Sequence, residues 1–434
     1  MKSYKLLVVA VLLLAGVTLL VRSCRPQGAG LASFGARSEI RYRLNDSLRN
    51  DLSDLAATVR MERAIRTWMA RNNIRGASLA VMRDEKLLYC KGFGMADAEH
   101  EIPVEAGDLF RIASASKLIT AIGIMKLCDE GLLTTDARVF GPDGILGEAL
   151  FPEIKDKRAG EITVRHLLNH TSGFSRRMGD PMFRSADVIR WTNSPKALTP
   201  DDVIAFQLGM RLRCRPGESA QYSNVGYLVL SRVIEQVSGM PYETYIRTHV
   251  LYPAGCYDMH LARNYYEERY PREVRYYGHA DDPIESYDGS GRLRPREYGG
   301  NDIAGLMGAG AWVCSSAELL RLVAAIDGRD RVPDILSARS IAEMKELRRK
   351  GDFGYGWART QPGSGVLVRT GTMSGTCAYV EYRPDGLSFV LITNTSNYRG
   401  ASFTNSIGRT VRDALSRVEA WPADRDLFTA VPRE

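Results

Sequence analysis

Apolar positions along the chain recur in blocks with either helix-type or strand-type spacing. From Asp54 to Asn73 they return every three or four positions, which predicts an amphipathic helix. The next stretch, GASLAVMRDEKLLYCKGFGMAD, has two apolar runs on either side of a polar turn and predicts a β-hairpin. Residues 110–131 then predict an apolar helix that ends at Gly131 as its C-terminal cap.

The second half of the chain predicts more helix and then several strands. Residues 135–215 are predicted to be helix and loop, and the segment NVGYLVLSRVIEQVSG predicts a long helix. Strand patterns return in GVLVRTG, CAYVEYRPDG and LSFVLITNTS, and the pattern of NSIGRTVRDALSRV indicates a closing helix. Because strands lie at both ends with helices between, we expect one antiparallel sheet beside a helical region. This is an α+β fold, with the active site at the seam.

The N-terminus predicts export. MKSYK is followed by an apolar run of 16 residues, Leu6 to Val21, which lies between a signal-peptide core and a membrane span in length. Cys24 follows a small residue, as at a lipoprotein cleavage site, although Arg22 is unusual there. A cleaved signal, a lipid anchor and an uncleaved anchor all remain open, and the expected location is the periplasm or the cell surface. The predicted division is a leader over 1–24, a polar tether over 25–53, the main domain over 54–420 and a tail over 421–434.

Charge and cysteine content exclude some function classes. The 434-residue chain has a formal net charge of +7, but its basic residues are scattered, and the short run KELRRK is typical of a solvated helix face. Nucleic acid is therefore not an expected partner. The seven cysteines have mostly apolar neighbours, which favours free buried thiols over a disulfide framework.

Candidate chemistry begins where the helix of residues 110–131 begins. Ser114 lies near its first turn, where backbone N–H groups are unpaired and the helix dipole is positive. Lys117, three residues later, lies on the same face among apolar neighbours, and desolvation would favour a neutral amine that accepts a proton from Ser114. On these residues alone, a helix-capping serine with an outward lysine is the favoured interpretation, since S-x-x-K arises by chance in many proteins of this length.

A second candidate segment precedes the long helix. In the run Gln221-Tyr222-Ser223-Asn224, the Tyr222 phenol is a proton relay if a cation lowers its pKa. Asn224 is suited to hydrogen-bond both a substrate and Lys117. The alternative is a packed tyrosine beside an asparagine that caps the helix.

A third candidate segment, Arg369-Thr370-Gly371-Thr372, ends a predicted strand. The arginine can hold a carboxylate, and the glycine permits close backbone approach by a substrate. A backbone N–H after the glycine would complete an oxyanion hole with the N–H of Ser114.

These three segments, in this order, resemble those of the class C β-lactamases and penicillin-binding-protein-like serine hydrolases, which use S-x-x-K, Y-x-N and a K-T-G-type triplet. The likeness covers roughly residues 60–415. It implies a β-lactamase/transpeptidase-like fold with an antiparallel sheet flanked by helices and a mostly helical subdomain, and no metal or organic cofactor. It also implies site roles: Ser114 as the acylated nucleophile, Lys117 and Tyr222 as the proton-transfer pair, Asn224 and the segment Arg369 to Thr372 in substrate binding, and an oxyanion hole from the N–H groups of Ser114 and Thr372.

One residue departs from the family pattern. Arg369 stands where the family has lysine or histidine; it cannot pass protons, but it can grip a carboxylate with two hydrogen bonds. We therefore expect a carboxylate-bearing small molecule or peptide as substrate. Which of Lys117 and Tyr222 is the general base stays open.

The resulting hypothesis is an exported serine hydrolase that cleaves an amide or ester through an acyl-enzyme. D-amino-acid peptidase or carboxypeptidase, esterase and β-lactamase-like activities are the candidates, and a non-catalytic penicillin-binding-like sensor or binding protein is the alternative. His166 and His170 are spaced like a metal pair, but the glutamate of a zinc protease is missing, so we interpret them as a helix end and turn held by hydrogen bonds.

Overall fold

The central element of the fold is a six-stranded antiparallel sheet. The computed structural model describes residues 43–195, 197–278, 283–346, 353–358 and 363–430. Within these ranges the strands of the sheet follow the order β3-β2-β1-β11-β10-β9. Their bounds are β1 Gly76–Arg83, β2 Lys86–Asp97, β3 Ile102–Pro103, β9 Leu367–Met373, β10 Thr376–Tyr382 and β11 Leu387–Thr393.

Two smaller sheets complete the strand content of the described residues. A three-stranded sheet has the order β4-β8-β5, and β6 pairs with β7. Their bounds are β4 Phe110–Arg111, β5 His260–Leu261, β6 Ile284–Glu285, β7 Leu293–Arg294 and β8 Trp312–Cys314. Strand β4 leads directly into the segment that carries Ser114, and the N–H of Ile112 donates to the carbonyl of Trp312 at 3.0 Å. The start of the Ser114 segment is thereby fixed to the core.

Helices cover the sheet and form the region between its two sets of strands. The α-helices are α1 Leu44–Ser47, α2 Val59–Arg71, α3 Ser116–Asp129, α4 Val164–Leu168, α5 Ser185–Thr192, α6 Pro200–Leu208, α7 Asn224–Ser238, α8 Tyr242–Ile246, α9 Ser316–Ala324, α10 Ala338–Lys345 and α11 Ala401–Leu415. The 3-10 helices are Asn50–Ser53, Ala56–Thr58, Ala113–Ala115, Lys157–Glu161, Pro181–Phe183, Tyr266–Glu268, Ala304–Ala309 and Leu427–Thr429, and π-helical turns span Arg247–Leu251 and Arg296–Gly300.

The sheet is buried on both faces. Leu79 and Val81 of β1 pack in a cluster with α2 and α11, whereas Ala80 and Met82 face the larger cluster that contains α3, α7 and α9. Alternate residues of a strand point to opposite faces, so a strand covered on both sides has a continuous apolar run. That burial accounts for the sequence SLAVM in the predicted hairpin.

The predicted sheet topology is confirmed. Strand β1 pairs with β11 in antiparallel register, with Ala77 opposite Thr393, so the N-terminal hairpin joins the C-terminal strands. The predicted apolar helix is α3, and Gly131 has a φ of +72°, the left-handed conformation typical of a helix C-terminal cap. The prediction of free buried thiols also agrees with the structure: the six cysteines among the described residues are free, and four of them are buried.

Two predicted boundaries differ from the structure. Residues 44–53, assigned to the tether, pack on the body, where Leu48 is buried in the core and the Asn50 side chain donates to the carbonyl of Val104 at 2.7 Å. In the predicted tail, the Asp426 carboxylate accepts the N–H of Leu87 at 3.1 Å. Both segments contribute polar contacts and apolar side chains to the body, which their polar composition concealed.

Within the described ranges, no helix reaches the length and apolarity needed to span a bilayer. The predicted leader over 1–24, with Leu6 to Val21 and Cys24, lies outside those ranges.

Candidate active site

Ser114 lies in a tightly wound segment at the N-terminal end of α3. The 3-10 helix Ala113–Ala115 runs directly into that helix. Ala113 has a φ of +46°, a left-handed conformation that residues with a side chain rarely adopt and that concentrates at functional sites. The Ser114 side chain is half-buried. It is therefore held at the positive end of a helix, where negative charge is stabilised.

Lys117 is a completely buried lysine with three acceptors. Its Nζ donates to Ser114 Oγ at 3.1 Å, to Asn224 Oδ1 at 2.7 Å and to the carbonyl of Ala309 at 2.5 Å. A buried ammonium is costly unless each of its N–H groups has a partner, and these three acceptors match the three N–H groups. The alternative interpretation, in which Lys117 points outward to solvent, is therefore wrong.

Tyr222 brings a phenol to the same hydroxyl. Ser223 caps α7 by accepting the N–H of Gly226 at 3.0 Å, and this fixes the chain just before the helix. The Tyr222 Oη donates to Ser114 Oγ at 2.7 Å. The His170 ring packs beside the phenol, with 4.5 Å between ring centroids. Ser114 thus contacts an amine from α3 and a phenol from the segment just before α7.

The charges around the phenol change its acidity. Burial raises the pKa of Tyr222, but the cations of Lys117 and Arg369 outweigh burial and lower that pKa to about 8. Burial also lowers the pKa of Lys117 to about 8. Both groups therefore exchange protons close to neutral pH, as proton-transfer groups must.

Arg369 has a different environment from the one predicted. Its side chain is 2% exposed, its Nε donates to the backbone carbonyl of Ser114 at 2.8 Å, and its Nη2 donates to Tyr222 Oη at 3.1 Å. Two of the five N–H groups are used in this way and the side chain is almost fully buried, so the predicted two-bond grip on a substrate carboxylate does not fit this environment. Instead, Arg369 supports the nucleophile segment and places a permanent positive charge against the phenol.

The rest of the segment also needs correction. Strand β9 alternates, so Arg369 and Gly371 are buried on the face toward Ser114, whereas Thr370 and Thr372 are half-buried on the other face. The Thr372 hydroxyl donates to Thr404 of α11 at 2.7 Å. The side chain of Thr372 is therefore directed away from the site, and only its backbone is available there.

Gly371 permits close approach of the protein's own backbone, not of a substrate as predicted. A Cβ atom at this position would lie 2.0 Å from the carbonyl oxygen of Ile112 and 3.0 Å from the backbone nitrogen of Ala115. These atoms belong to the nucleophile segment. Strand β9 can lie against that segment only because residue 371 has no side chain.

Changing Gly371 to alanine should displace β9 from Ser114. We expect an activity loss of about 100-fold, because an error of about 1 Å in reacting geometry has that effect, and a stability loss of about 1–3 kcal/mol from overpacking. Ester hydrolysis and thermal unfolding would measure both. Changing Gly363 to alanine is the control, since none of the described residues lies within 4 Å of a Cβ there, although its φ of +84° adds local strain. Equal activity of the two variants would show that the close approach does not matter.

Two contributors were missed by the sequence analysis. The glycine-rich segment 305–316 was not a candidate for the site, but it supplies the Ala309 carbonyl that accepts from Lys117. Asp180 accepts the Asn224 Nδ2–H at 2.7 Å and was not a candidate at all. A backbone carbonyl leaves no signature in side-chain patterns, and Asp180 lies in a loop without a recognisable motif.

The two histidines have the hydrogen-bonding roles expected of a helix end and turn. His166 Nδ1 accepts the N–H of Thr163 at 3.2 Å, in a capping box at the start of α4. His170 Nδ1 accepts the N–H of Ser223 at 3.2 Å, which ties the turn after α4 to the segment that carries Tyr222.

Comparison with known families agrees with this geometry. The sequence model of the family described as Beta-lactamase matches residues 61–408, a range that includes every candidate site residue. The chain belongs to the beta-lactamase family.

The proteins similar to this chain include a penicillin-binding protein and an esterase. A penicillin-binding protein of Bacillus subtilis (strain 168) is 28% identical over 288 residues, which cover 65% of this chain and 59% of that protein's length. Esterase EstB of Burkholderia gladioli is 27% identical over 392 residues, covering 84% of this chain and 96% of the esterase. The similarity to the esterase thus extends over nearly its whole length, whereas the chain spans less than two thirds of the penicillin-binding protein.

A solved structure shares the fold. The D-amino acid amidase from Ochrobactrum anthropi SV3, complexed with L-phenylalanine amide, superposes with a TM-score of 0.64 and 23% identity, over 84% of this chain and 100% of the amidase. The sheet flanked by helices is therefore the fold of the beta-lactamase family, as the sequence resemblance implied.

Proposed function

We propose that the protein is an S-x-x-K/Y-x-N serine hydrolase that cleaves an ester or amide through an acyl-enzyme on Ser114. One observation supports this above all: a single hydroxyl oxygen lies 3.1 Å from a lysine amine and 2.7 Å from a tyrosine phenol. A nucleophile within hydrogen-bond reach of its base is the geometric requirement for covalent catalysis.

Acylation would proceed through the Tyr222 phenolate. The phenolate removes the proton of Ser114 Oγ, and the oxygen attacks the substrate carbonyl carbon, which gives a tetrahedral oxyanion. The N–H groups of Ser114 and Thr372 stabilise that oxyanion. Strand β9 lies at the edge of the sheet, so its outer backbone groups have no partner strand among the described residues. Tyr222 then returns the proton to the departing alcohol or amine.

Deacylation repeats these steps with water. The phenolate takes a proton from the water, hydroxide adds to the ester carbonyl of the acyl-enzyme, and the tetrahedral intermediate collapses with the C–O bond to Ser114 breaking. The proton on Tyr222 passes to Ser114 Oγ. The products are a carboxylic acid and the free enzyme, so no other reactant is required.

The contacts favour Tyr222 over Lys117 as the general base. Lys117 has three acceptors, which stabilise the ammonium, whereas Tyr222 has the Arg369 guanidinium at 3.1 Å, which stabilises the phenolate. In this arrangement Lys117 remains protonated, and its charge helps to hold the phenolate and the developing oxyanion.

The proposed substrate is a small ester or amide without an obligatory carboxylate. The expectation of a carboxylate rested on Arg369, whose Nε and Nη2 contact Ser114 and Tyr222 instead. The similarity to an esterase over 96% of its length supports an ester as the first substrate to test.

The test is covalent labelling combined with a substrate panel. A fluorophosphonate should label the wild-type protein and not the Ser114→Ala variant. The panel contains a p-nitrophenyl ester, a D-amino-acid peptide and a chromogenic β-lactam, and at least the ester should be turned over. Labelling that persists in the variant, or labelling of the wild type without any turnover, contradicts the proposal, and the second result favours the sensor.

The pH profile of the wild type gives a further prediction. The active form needs the Tyr222 phenolate together with the Lys117 ammonium, and the pKa of Tyr222 is about 8. Below that pH the phenol is protonated, so kcat/KM for the ester should rise with pH up to about 8. Above it the Lys117 ammonium, whose pKa is also about 8, loses its proton, so kcat/KM should fall again. Initial rates between about pH 5 and pH 10 would measure both limbs of this bell-shaped profile. A profile that is flat from pH 5 would show that no group of this kind titrates in the reaction.

We also propose that the protein is exported and attached to a membrane through residues 6–21 or Cys24. The support is the basic and apolar N-terminal sequence. Cell fractionation of the full chain and of a Cys24→Ala variant tests it: the full chain should be in the membrane fraction, and a cytosolic location would contradict export. Release of the Cys24→Ala variant would identify a lipid anchor.

A further inference from the structure

Asp180 is fixed in one orientation by the local fold. It lies in the loop between α4 and α5 and caps the 3-10 helix Pro181–Phe183, where its Oδ1 accepts the N–H of Met182 at 3.2 Å. This bond directs the second carboxylate oxygen, Oδ2, at the Nδ2 group of Asn224, 2.7 Å away. The carboxylate is therefore held rigidly beside the active-site amide.

The Asp180 contact decides which way the Asn224 amide faces. An ionised carboxylate only accepts hydrogen bonds, and a lysine ammonium only donates them. Between Asp180 and Lys117, the amide satisfies both partners in one orientation, with Nδ2 toward the carboxylate and Oδ1 toward the ammonium at 2.7 Å. A flipped amide would put oxygen against oxygen and N–H against N–H.

Asp180 also brings the negative charge that balances the cations of the site. The titratable and charged groups that face Lys117 from the packed elements are Tyr222, Tyr227, Arg369 and Asp180. Of these, Arg369 lowers the pKa of Lys117, whereas Asp180 and Tyr222 raise it against the effect of burial. The carboxylate thus favours the ammonium form that the proposed mechanism uses.

We infer that Asp180 is a positioning residue for the proposed acyl transfer, because it fixes the Asn224 amide and, through it, the direction of the Lys117 amine toward Ser114. The inference rests on the proposed function, since it assigns a residue to that same site. It extends the catalytic network to a loop segment that carries no recognisable motif.

The test is a reciprocal exchange of the carboxylate and the amide. Asp180→Asn keeps the size of the side chain, but an amide that still caps Met182 presents its NH₂ group to the Asn224 NH₂ group. We expect kcat to fall by about 10- to 100-fold, because the amine loses its fixed direction. Asn224→Asp alone sets two carboxylates against each other and should also lose activity.

The double variant Asp180→Asn with Asn224→Asp should recover activity. The amide at position 180 can then cap Met182 and donate to the carboxylate at position 224, whose other oxygen accepts from Lys117. We expect kcat within about 10-fold of wild type and above both single variants, which is a large coupling between the two positions. Because the negative charge is then nearer to Lys117, the acidic limb of the pH profile should lie at higher pH than in Asp180→Asn.

The matched control is Asp156→Asn. Asp156 caps the 3-10 helix Lys157–Glu161 in the same way, by accepting the N–H two residues later at 3.2 Å. It is not among the contacts of Ser114, Lys117 or Tyr222, so the control should keep wild-type kcat even if it loses some stability.

The outcomes separate this inference from the proposed function. If the wild type hydrolyses the ester but Asp180→Asn has unchanged kcat and pH profile, or if the double variant is no better than the poorer single variant, the positioning role is wrong. If the wild type neither reacts with the fluorophosphonate nor hydrolyses any substrate of the panel, the proposed function itself fails.

Discussion

The Ser114→Ala variant is expected to lose at least about 10⁴-fold in kcat/KM for the ester, because a member of a nucleophile–base unit is not replaced by its neighbours. The substitution removes only Oγ, the atom that both Lys117 and Tyr222 contact. The fold should persist, since the helix that follows is buried through its apolar side chains. Initial rates under saturating and limiting substrate would measure the loss.

The control for this loss is Ser402→Ala. Ser402 is an exposed serine in the first turn of α11, where its hydroxyl donates to the carbonyl of Arg399 at 2.9 Å. It should retain wild-type activity, and both variants should unfold cooperatively. An Ser114→Ala protein with more than a hundredth of wild-type activity would show that another group is the nucleophile.

Arg369→Met should cause the second-largest effect, a fall in kcat/KM of about 10²–10³-fold at pH 7, comparable to the loss of one electrostatic donor in other active sites. Methionine keeps much of the side-chain length but removes the bonds to the Ser114 carbonyl and the Tyr222 oxygen. Because the guanidinium lowers the pKa of Tyr222, its loss raises that pKa, and the acidic limb of the pH profile moves to higher pH.

Two comparisons show how Arg369 acts. Arg369→Lys keeps a positive charge with a different donor geometry, so it should retain more activity than Arg369→Met. The loss in Arg369→Met should be equal for a neutral ester and for an ester that carries a carboxylate. A loss confined to KM of the carboxylate-bearing ester would contradict the positioning role and restore a substrate-binding role.

The fold could be predicted from the sequence because its elements have strong periodic signals. The hairpin of β1 and β2 and the late strands have apolar runs that only a sheet buried on both faces explains, and α3 is apolar on every face. The boundaries were harder to predict. The segments 44–53 and 423–426 attach through hydrogen bonds to distant residues, and composition does not reveal such contacts.

The sequence predicted which residues form the site, but it did not predict where every side chain points. Lys117 and Tyr222 each lie within hydrogen-bond distance of Ser114, and the Lys117 amine contacts the Tyr222 ring, as the resemblance implied. Arg369 was predicted to face a substrate, although the alternation of β9 places it beneath the nucleophile segment with Gly371. A sequence names the side chain at a strand position, but the face it occupies depends on which neighbour packs there.

Asp180 illustrates the remaining limit. Its capping motif, an aspartate followed by proline, is a common local signal and gives no indication of a distant partner. Its importance arises from the 2.7 Å contact with Asn224, a residue 44 positions away in the chain. Contacts of this kind follow from the packing of loops, which has no periodicity to detect.

The most direct test of the account is mass spectrometry of the protein during turnover of a slowly hydrolysed ester or after reaction with a penicillin. We predict a mass increase equal to the acyl group, located on the tryptic peptide that contains Ser114, in the wild type and in no Ser114→Ala sample. An adduct on any other residue would contradict the account. So would steady turnover without any adduct, if the adduct is still missing after rapid acid quenching of a variant with impaired deacylation.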